Sequence, residues 1–173
     1  MSQYKNPENK IIFTKLKEVQ FFKMYADNNG VIKKIAGLCK VKKFRKGASI
    51  IKEGDFGDEC FIFLSGAIEI VKVTLQGEHY TLSTLNPGTG AIYVGEFALI
   101  DNDRRSASVI AKTECECLVI KRDNFVEFGD QNPEIGLNVT RAIAKQLSLM
   151  LRKTNADVIT LFSALVEEIG GSS

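Results

Sequence analysis

Two short stretches hold the residue types that could grip an anion beside a hydroxyl. They are Gly95-Glu96-Phe97-Ala98-Leu99 and, after Asp101-Asn102-Asp103, the run Arg104-Arg105-Ser106-Ala107-Ser108-Val109. Gly95 lets the main chain approach a ligand closely. Glu96 to Leu99 suit one short helical turn, whose first N–H groups lack internal partners and so favour an anion. Arg105 can hold a phosphate through two parallel, charge-assisted hydrogen bonds, and Ser106 adds a hydroxyl. Glu96 would be repelled by a phosphate unless it meets a donor such as a sugar hydroxyl. Together these residues describe a pocket for a phosphorylated sugar.

Other chemistries find less support. The four cysteines Cys39, Cys60, Cys115 and Cys117 lack the C-x-x-C spacing of a zinc or redox pair. Cys115 and Cys117, two apart, point the same way in a strand, and all four read as buried or half-buried thiols of a reducing compartment. The single histidine, His79, cannot assemble a hydrolase triad or a multi-histidine metal site. It remains the one candidate axial ligand for a haem-type sensor. No nucleophile–base pair or metal cluster is visible, so the sequence predicts a protein that is not an enzyme and holds no cofactor.

The elements that must position these residues divide the chain in three. Residues 1–37 read as helical, broken at Asn28-Asn29-Gly30. Residues 38–132 form the β portion, all-β through 121, with short apolar runs at Ser49–Ile51, Cys60–Leu64, Ile68–Val73, Tyr80–Leu82 and Cys117–Ile120 separated by glycines. Ser65-Gly66 and Gln76-Gly77 are the hairpin candidates. Residues 133–169 read as one long helix with Pro133 in its first turn and Gly170-Gly171 closing it, which leaves 170–173 as a tail. The predicted fold is mainly β with flanking α: a double-stranded β-helix, or jelly-roll-like β-roll, of about eight antiparallel strands between N-terminal helices and a long C-terminal helix.

With 173 residues, 45% of them hydrophobic and 25% charged, the chain is an ordinary globular one. It has no apolar run of the ~20 residues that cross a bilayer, and no signal core near its start. It is expected in the cytoplasm and off the membrane. Its net charge of +2 conceals a basic N-terminal part, since residues 1–50 carry 12 Lys/Arg against 3 Asp/Glu. The lysines there alternate with Leu16, Val19, Phe21, Phe22, Ile32, Ile35 and Leu38, as on amphipathic helices with a solvated face.

The two stretches resemble the phosphate-binding cassette of the cyclic nucleotide-binding domain family, a G-E-x-A-L followed by R-[ST]-A-[ST]-V. Phe44-Arg45-Lys46-Gly47, Ile51-Lys52-Glu53-Gly54-Asp55, Phe61–Gly66 and Leu85-x-Pro87-Gly88 follow the family order, and Arg105–Thr113 with Asn132-Pro133 is similar to the bacterial catabolite activator branch. The resemblance covers about residues 38–160. It implies that Glu96 accepts from the ribose 2′-hydroxyl and Arg105 pairs with the cyclic phosphate. Gly95, Ala98 and Ser106 would give N–H groups, while Phe97 and Ala107 belong to the same ligand-binding stretches. The alternative is an empty pocket in which Arg105 pairs internally with Glu96 or Asp101. Three departures stand out. The approach Gly88–Gly95 is longer than the family pattern by about two residues, Arg104 replaces the usual proline, and Met150 and Leu151 occupy the positions that hold adenine in the activator branch. Met150, Leu151 or Arg152 is expected to stack on or cap the base instead.

No helix-turn-helix follows the long helix, so sequence-specific DNA binding is not expected. The reading is a stand-alone sensor for cAMP, with cGMP as the second choice, that signals to an unidentified protein effector. A scaffold on the same fold without ligand, or a haem-type sensor, are the alternatives. Leu147, Leu151, Thr154, Val158, Leu161 and Leu165 repeat at spacings of 4, 3, 4, 3, 4, the seam of a two-stranded coiled coil, and predict a homodimer through the C-terminal helix.

Overall fold

The computed structural model describes residues 7–170 apart from Leu75, Pro87 and Thr89. Helix α1 (Pro7–Glu18), a 3-10 turn (Lys23–Tyr25) and helix α2 (Asn29–Ala36) precede eight strands. These are β1 (Lys40–Phe44), β2 (Ser49–Ile51), β3 (Glu59–Ser65), β4 (Ile68–Val73), β5 (His79–Leu85), β6 (Ile92–Val94), β7 (Ser108–Ala111) and β8 (Cys115–Lys121). A second 3-10 turn (Glu96–Leu99) lies between β6 and β7. Helices α3 (Arg122–Gln131) and α4 (Pro133–Gly170) follow. The strands form two antiparallel four-stranded sheets, β1-β8-β3-β6 and β2-β7-β4-β5, in which strands distant in sequence become neighbours. This is the expected β-roll.

Strands β3 and β8 explain why their sequences are continuous apolar runs, not alternations. Phe61 and Phe63, with Cys115, Cys117 and Val119, fill the space between the two sheets. Cys60 and Ile62, with Leu118 and Ile120, face the opposite way into a second core built with the helices. That core takes Leu16, Val19, Phe21 and Phe22 from the N-terminal segment, Leu99 from the cassette, and Val139 and Ile143 from α4. A strand covered on both faces must be apolar throughout. The N-terminal helices, the cassette and the start of α4 therefore share one packed interior.

Several expectations need correction. The break in the N-terminal helices falls between Glu18 and Asn28. Asn28 caps α2 by accepting from the Val31 N–H at 3.1 Å, which places Asn29 and Gly30 inside the helix. Helix α3 occupies residues assigned to the β portion; Phe125 and Phe128, spaced for one helical face, pack into the helix-side core. Gln76-Gly77 does lie in the β4–β5 hairpin. Ser65-Gly66 is not a hairpin, because β3 and β4 belong to different sheets and the chain crosses between them there. Residues 1–6 and the tail residues 171–173 lie outside the described residues, as do Pro87 and Thr89 of the long approach to the cassette.

At this crossing Gly66 has φ +94°, and a Cβ there would stand 2.5 Å from both Cys115 Sγ and the Glu114 carbonyl oxygen. The neighbouring Ala67 N–H donates to Thr113 Oγ1 at 2.9 Å, which pins the crossing to the loop before β8. Gly66→Ala should cost about 2–4 kcal/mol in urea unfolding, since it adds a clash with main chain to an unfavourable dihedral. Gly77→Ala, whose Cβ would meet nothing within 4 Å, should cost about 1 kcal/mol.

Candidate functional site: an anion-binding cassette

The cassette begins where β6 ends. Gly95 has φ +75°, the left-handed region that turns the chain out of the sheet and into the 3-10 turn. A Cβ at Gly95 would lie 2.6 Å from Arg105 Nη1 and 2.9 Å from the Glu59 carbonyl oxygen. One at Gly57 would collide with the same guanidinium. Arg105 is thus threaded between two glycines, one on each side. Its Nη2 donates to the Glu59 carbonyl at 2.6 Å. Burial lowers its pKa, opposed by Cys60, Glu59, Asp58 and Asp101. Among the described residues no ion pair joins Arg105 to Glu96 or Asp101, so the internal pairing that would mark an empty relic is not formed.

Glu96 is 8% exposed, the one charged side chain in the buried class among the described residues. Its Oε1 accepts from Gln146 Nε2 at 3.1 Å. Burial raises its pKa, and its own backbone N–H works against that shift. Gln146 in turn accepts from the Tyr93 hydroxyl at 3.4 Å, and the Tyr93 ring meets Phe21 edge-on at 5.2 Å. A polar chain therefore runs from the cassette carboxylate to α4 and on to the ring that touches the N-terminal segment. Gln146 was not among the residues singled out from the sequence. The signal for it is a polar residue inside the apolar 4, 3, 4 stripe Val139, Ile143, Gln146, Met150.

The other expected site residues are distributed as follows. Ser106 is exposed, and Ala107 half-buried, on the stretch entering β7. Phe97 is half-buried and packs on the helix-side core. The Ala98 N–H donates to the Gly95 carbonyl at 3.1 Å, because a 3-10 turn closes its ring one residue sooner than an α-helix does. Met150 and Leu151 are 49% and 62% exposed, and every residue of α4 from Leu149 onward is exposed. The structure brings Gln146 to Glu96, with Met150 one turn further along the same helix face. His79 is exposed at the start of β5. Among the described residues no three His, Cys, Asp or Glu side chains group as metal ligands, and no helix is long and apolar enough to cross a membrane.

The family model described as the cyclic nucleotide-binding domain matches residues 41–132, more than half of the chain. The chain belongs to this family. The cyclic AMP receptor protein of Thermus thermophilus is 29% identical over 104 residues, which cover 60% of this chain and 47% of that protein. The cGMP-dependent protein kinase isozyme 1 of Drosophila melanogaster is 36% identical over 98 residues, 55% of this chain and 12% of the kinase. The crystal structure of the Thermus thermophilus catabolite activator protein superposes with a TM-score of 0.71 at 24% identity, covering 83% of this chain and 63% of that one. The matched segment thus spans about half the length of the bacterial relative, and the structural likeness establishes the fold.

The Glu96 carboxyl sits in a dry place, with no cation paired to it among the described residues. Its folded pKa lies above the ordinary 4.5, so it stabilises the fold below that pH and the contribution is lost as pH rises through the raised value. Glu96→Gln should therefore raise the thermal midpoint of the ligand-free protein at about pH 7.5. The gain should shrink on acidification toward 4.5, as read by scanning calorimetry across that range.

Proposed function

We propose that this chain binds a 3′,5′-cyclic mononucleotide reversibly and reports it to a protein partner. One observation carries the reading. Among the described residues, a half-buried guanidinium without a carboxylate ion pair and a buried carboxylate without a cation flank the same cassette. A ligand that joins an anionic phosphate to a sugar hydroxyl satisfies both, the phosphate taking Arg105 and the hydroxyl donating to Glu96. The Ser106 hydroxyl and the N–H groups of Gly95 and Ser106 add donors around the phosphate. Met150, on the face of Gln146, caps the base when α4 closes over it, with Leu151 beside it. The preferred ligand is cAMP, in keeping with the name of the bacterial receptor relative. A competition titration with cGMP tests that choice.

Two chains associate through α4 in this reading. Leu151, Val158, Leu161 and Leu165 of the seam are 53% to 70% exposed within one chain, which leaves the stripe uncovered. The ligand acts on the pairing through Gln146, the point where α4 touches the cassette.

Arg105→Ala should weaken cAMP binding by about 2–5 kcal/mol in isothermal titration, largely because the phosphate is left unpaired. Glu96→Ala should cost less, since it removes a sugar contact and not the main charge. An Arg105→Ala variant that binds like the parent sinks the assignment. Affinity in the parent should rise with pH as Glu96 ionises, and Glu96→Gln should flatten that rise. Light scattering tests the seam: the parent should be a dimer and Leu151→Asp/Leu161→Asp a monomer. A monomeric parent removes the α4 pairing.

A further inference from the structure

Arg104 does something different from its neighbour. Its Nη1 donates to the Gly54 carbonyl at 2.6 Å, and its guanidinium lies 4.5 Å from the centroid of the Phe56 ring. Phe56 and Arg104 also form an isolated antiparallel bridge. Directly behind it the Arg105 N–H donates to the Asp55 carbonyl at 2.8 Å, and the Gly54 N–H donates to the Arg105 carbonyl at 2.9 Å. Asp103 Oδ1 accepts from the Arg104 N–H at 2.7 Å and fixes the start of the stretch. The turn after β2 and the stretch before β7 are thus held by main-chain pairing on one side and by a guanidinium stacked on a ring on the other. Phe56 is 63% exposed and belongs to neither core, so core burial does not account for where its ring lies.

We propose that Arg104, clamped on Gly54 and Phe56, is a positioning residue that holds Arg105 in register for an anion. This rests on the reading of Arg105 as the phosphate partner. A guanidinium threaded between Gly57 and Gly95 has little lateral freedom, so its reach toward a ligand follows the position of its own main chain. That position is set by the bonds to Gly54 and Asp55, and the clamp grips the same two segments one residue away, at Phe56 and Arg104. Holding the loop before the ligand arrives removes an ordering cost from binding.

Amide hydrogen exchange on the ligand-free full chain reads the clamp without any nucleotide. Arg104→Ala and Phe56→Ala should each lower protection of the Gly54 and Arg105 amides by roughly tenfold, with Ile62 and Leu118 unmoved. The double variant should be no worse than Arg104→Ala alone, because the stack that Phe56→Ala removes is already lost with the guanidinium. In calorimetry with cAMP and with cGMP, each single variant should weaken binding by roughly tenfold and the double no further, while Phe56→Tyr, which keeps the ring, should match the parent. Unchanged protection at Gly54 and Arg105 overturns the proposal whatever the nucleotides do. An affinity loss confined to Arg104→Ala, with a shallower dependence on salt, also overturns it, since Arg104 would then be a second charge on the phosphate. Lost protection in a protein whose parent form binds neither nucleotide supports the clamp and removes the cyclic nucleotide reading instead.

Discussion

The structure is organised around a cation that rests on a neutral partner. Arg105 donates to the Glu59 carbonyl and stands between two glycines, with no carboxylate in an ion pair with it among the described residues. A salt bridge at that point would satisfy the guanidinium and hide it. A carbonyl holds it in place while leaving most of its charge and several of its donors for something else. The surrounding features follow from this choice: the left-handed Gly95, the glycine at position 57, and the pairing of Gly54 and Asp55 with the arginine's own main chain.

The opposite arrangement holds across the cassette. Glu96 is an acid in a dry place, and its side-chain partner is the amide of Gln146. An amide can orient a carboxylate without cancelling its charge, so the site keeps one unspent charge of each sign. Such groups weaken a fold when left alone, because desolvation is not offset. The two apolar cores bear that cost. They cover β3 and β8 on both faces and bind the helices to the sheet that carries the cassette.

Much of this was legible in the sequence because several local signals agreed. The glycine–glutamate turn forms where the sequence placed it, and the apolar runs between glycines marked five of the strands. What escaped was set by partners remote in sequence. Ser65-Gly66 has hairpin chemistry, yet its glycine is required by Cys115 on the strand it crosses beside. Helix α3 is short, and the helical spacing of its two phenylalanines carries weight only once the helix-side core gives them a common face. Gln146 reads as a surface glutamine on a long helix, and only the arrival of Glu96 and Tyr93 from another layer gives it work to do.

Helix α4 has 38 residues, so it is about 57 Å long. Only its first part is tied down, with Val139 and Ile143 in the core and Gln146 at the cassette. From Leu149 to Gly170 every residue is exposed, a stretch of 22 residues and about 33 Å beyond a fulcrum beside the carboxylate. A tilt of roughly 5° at the fulcrum sweeps the tip through about 3 Å, close to the diameter of a water molecule. A displacement too small to notice at the pocket is thus enlarged, by rigid leverage alone, to a size that can make or break packing at the far end.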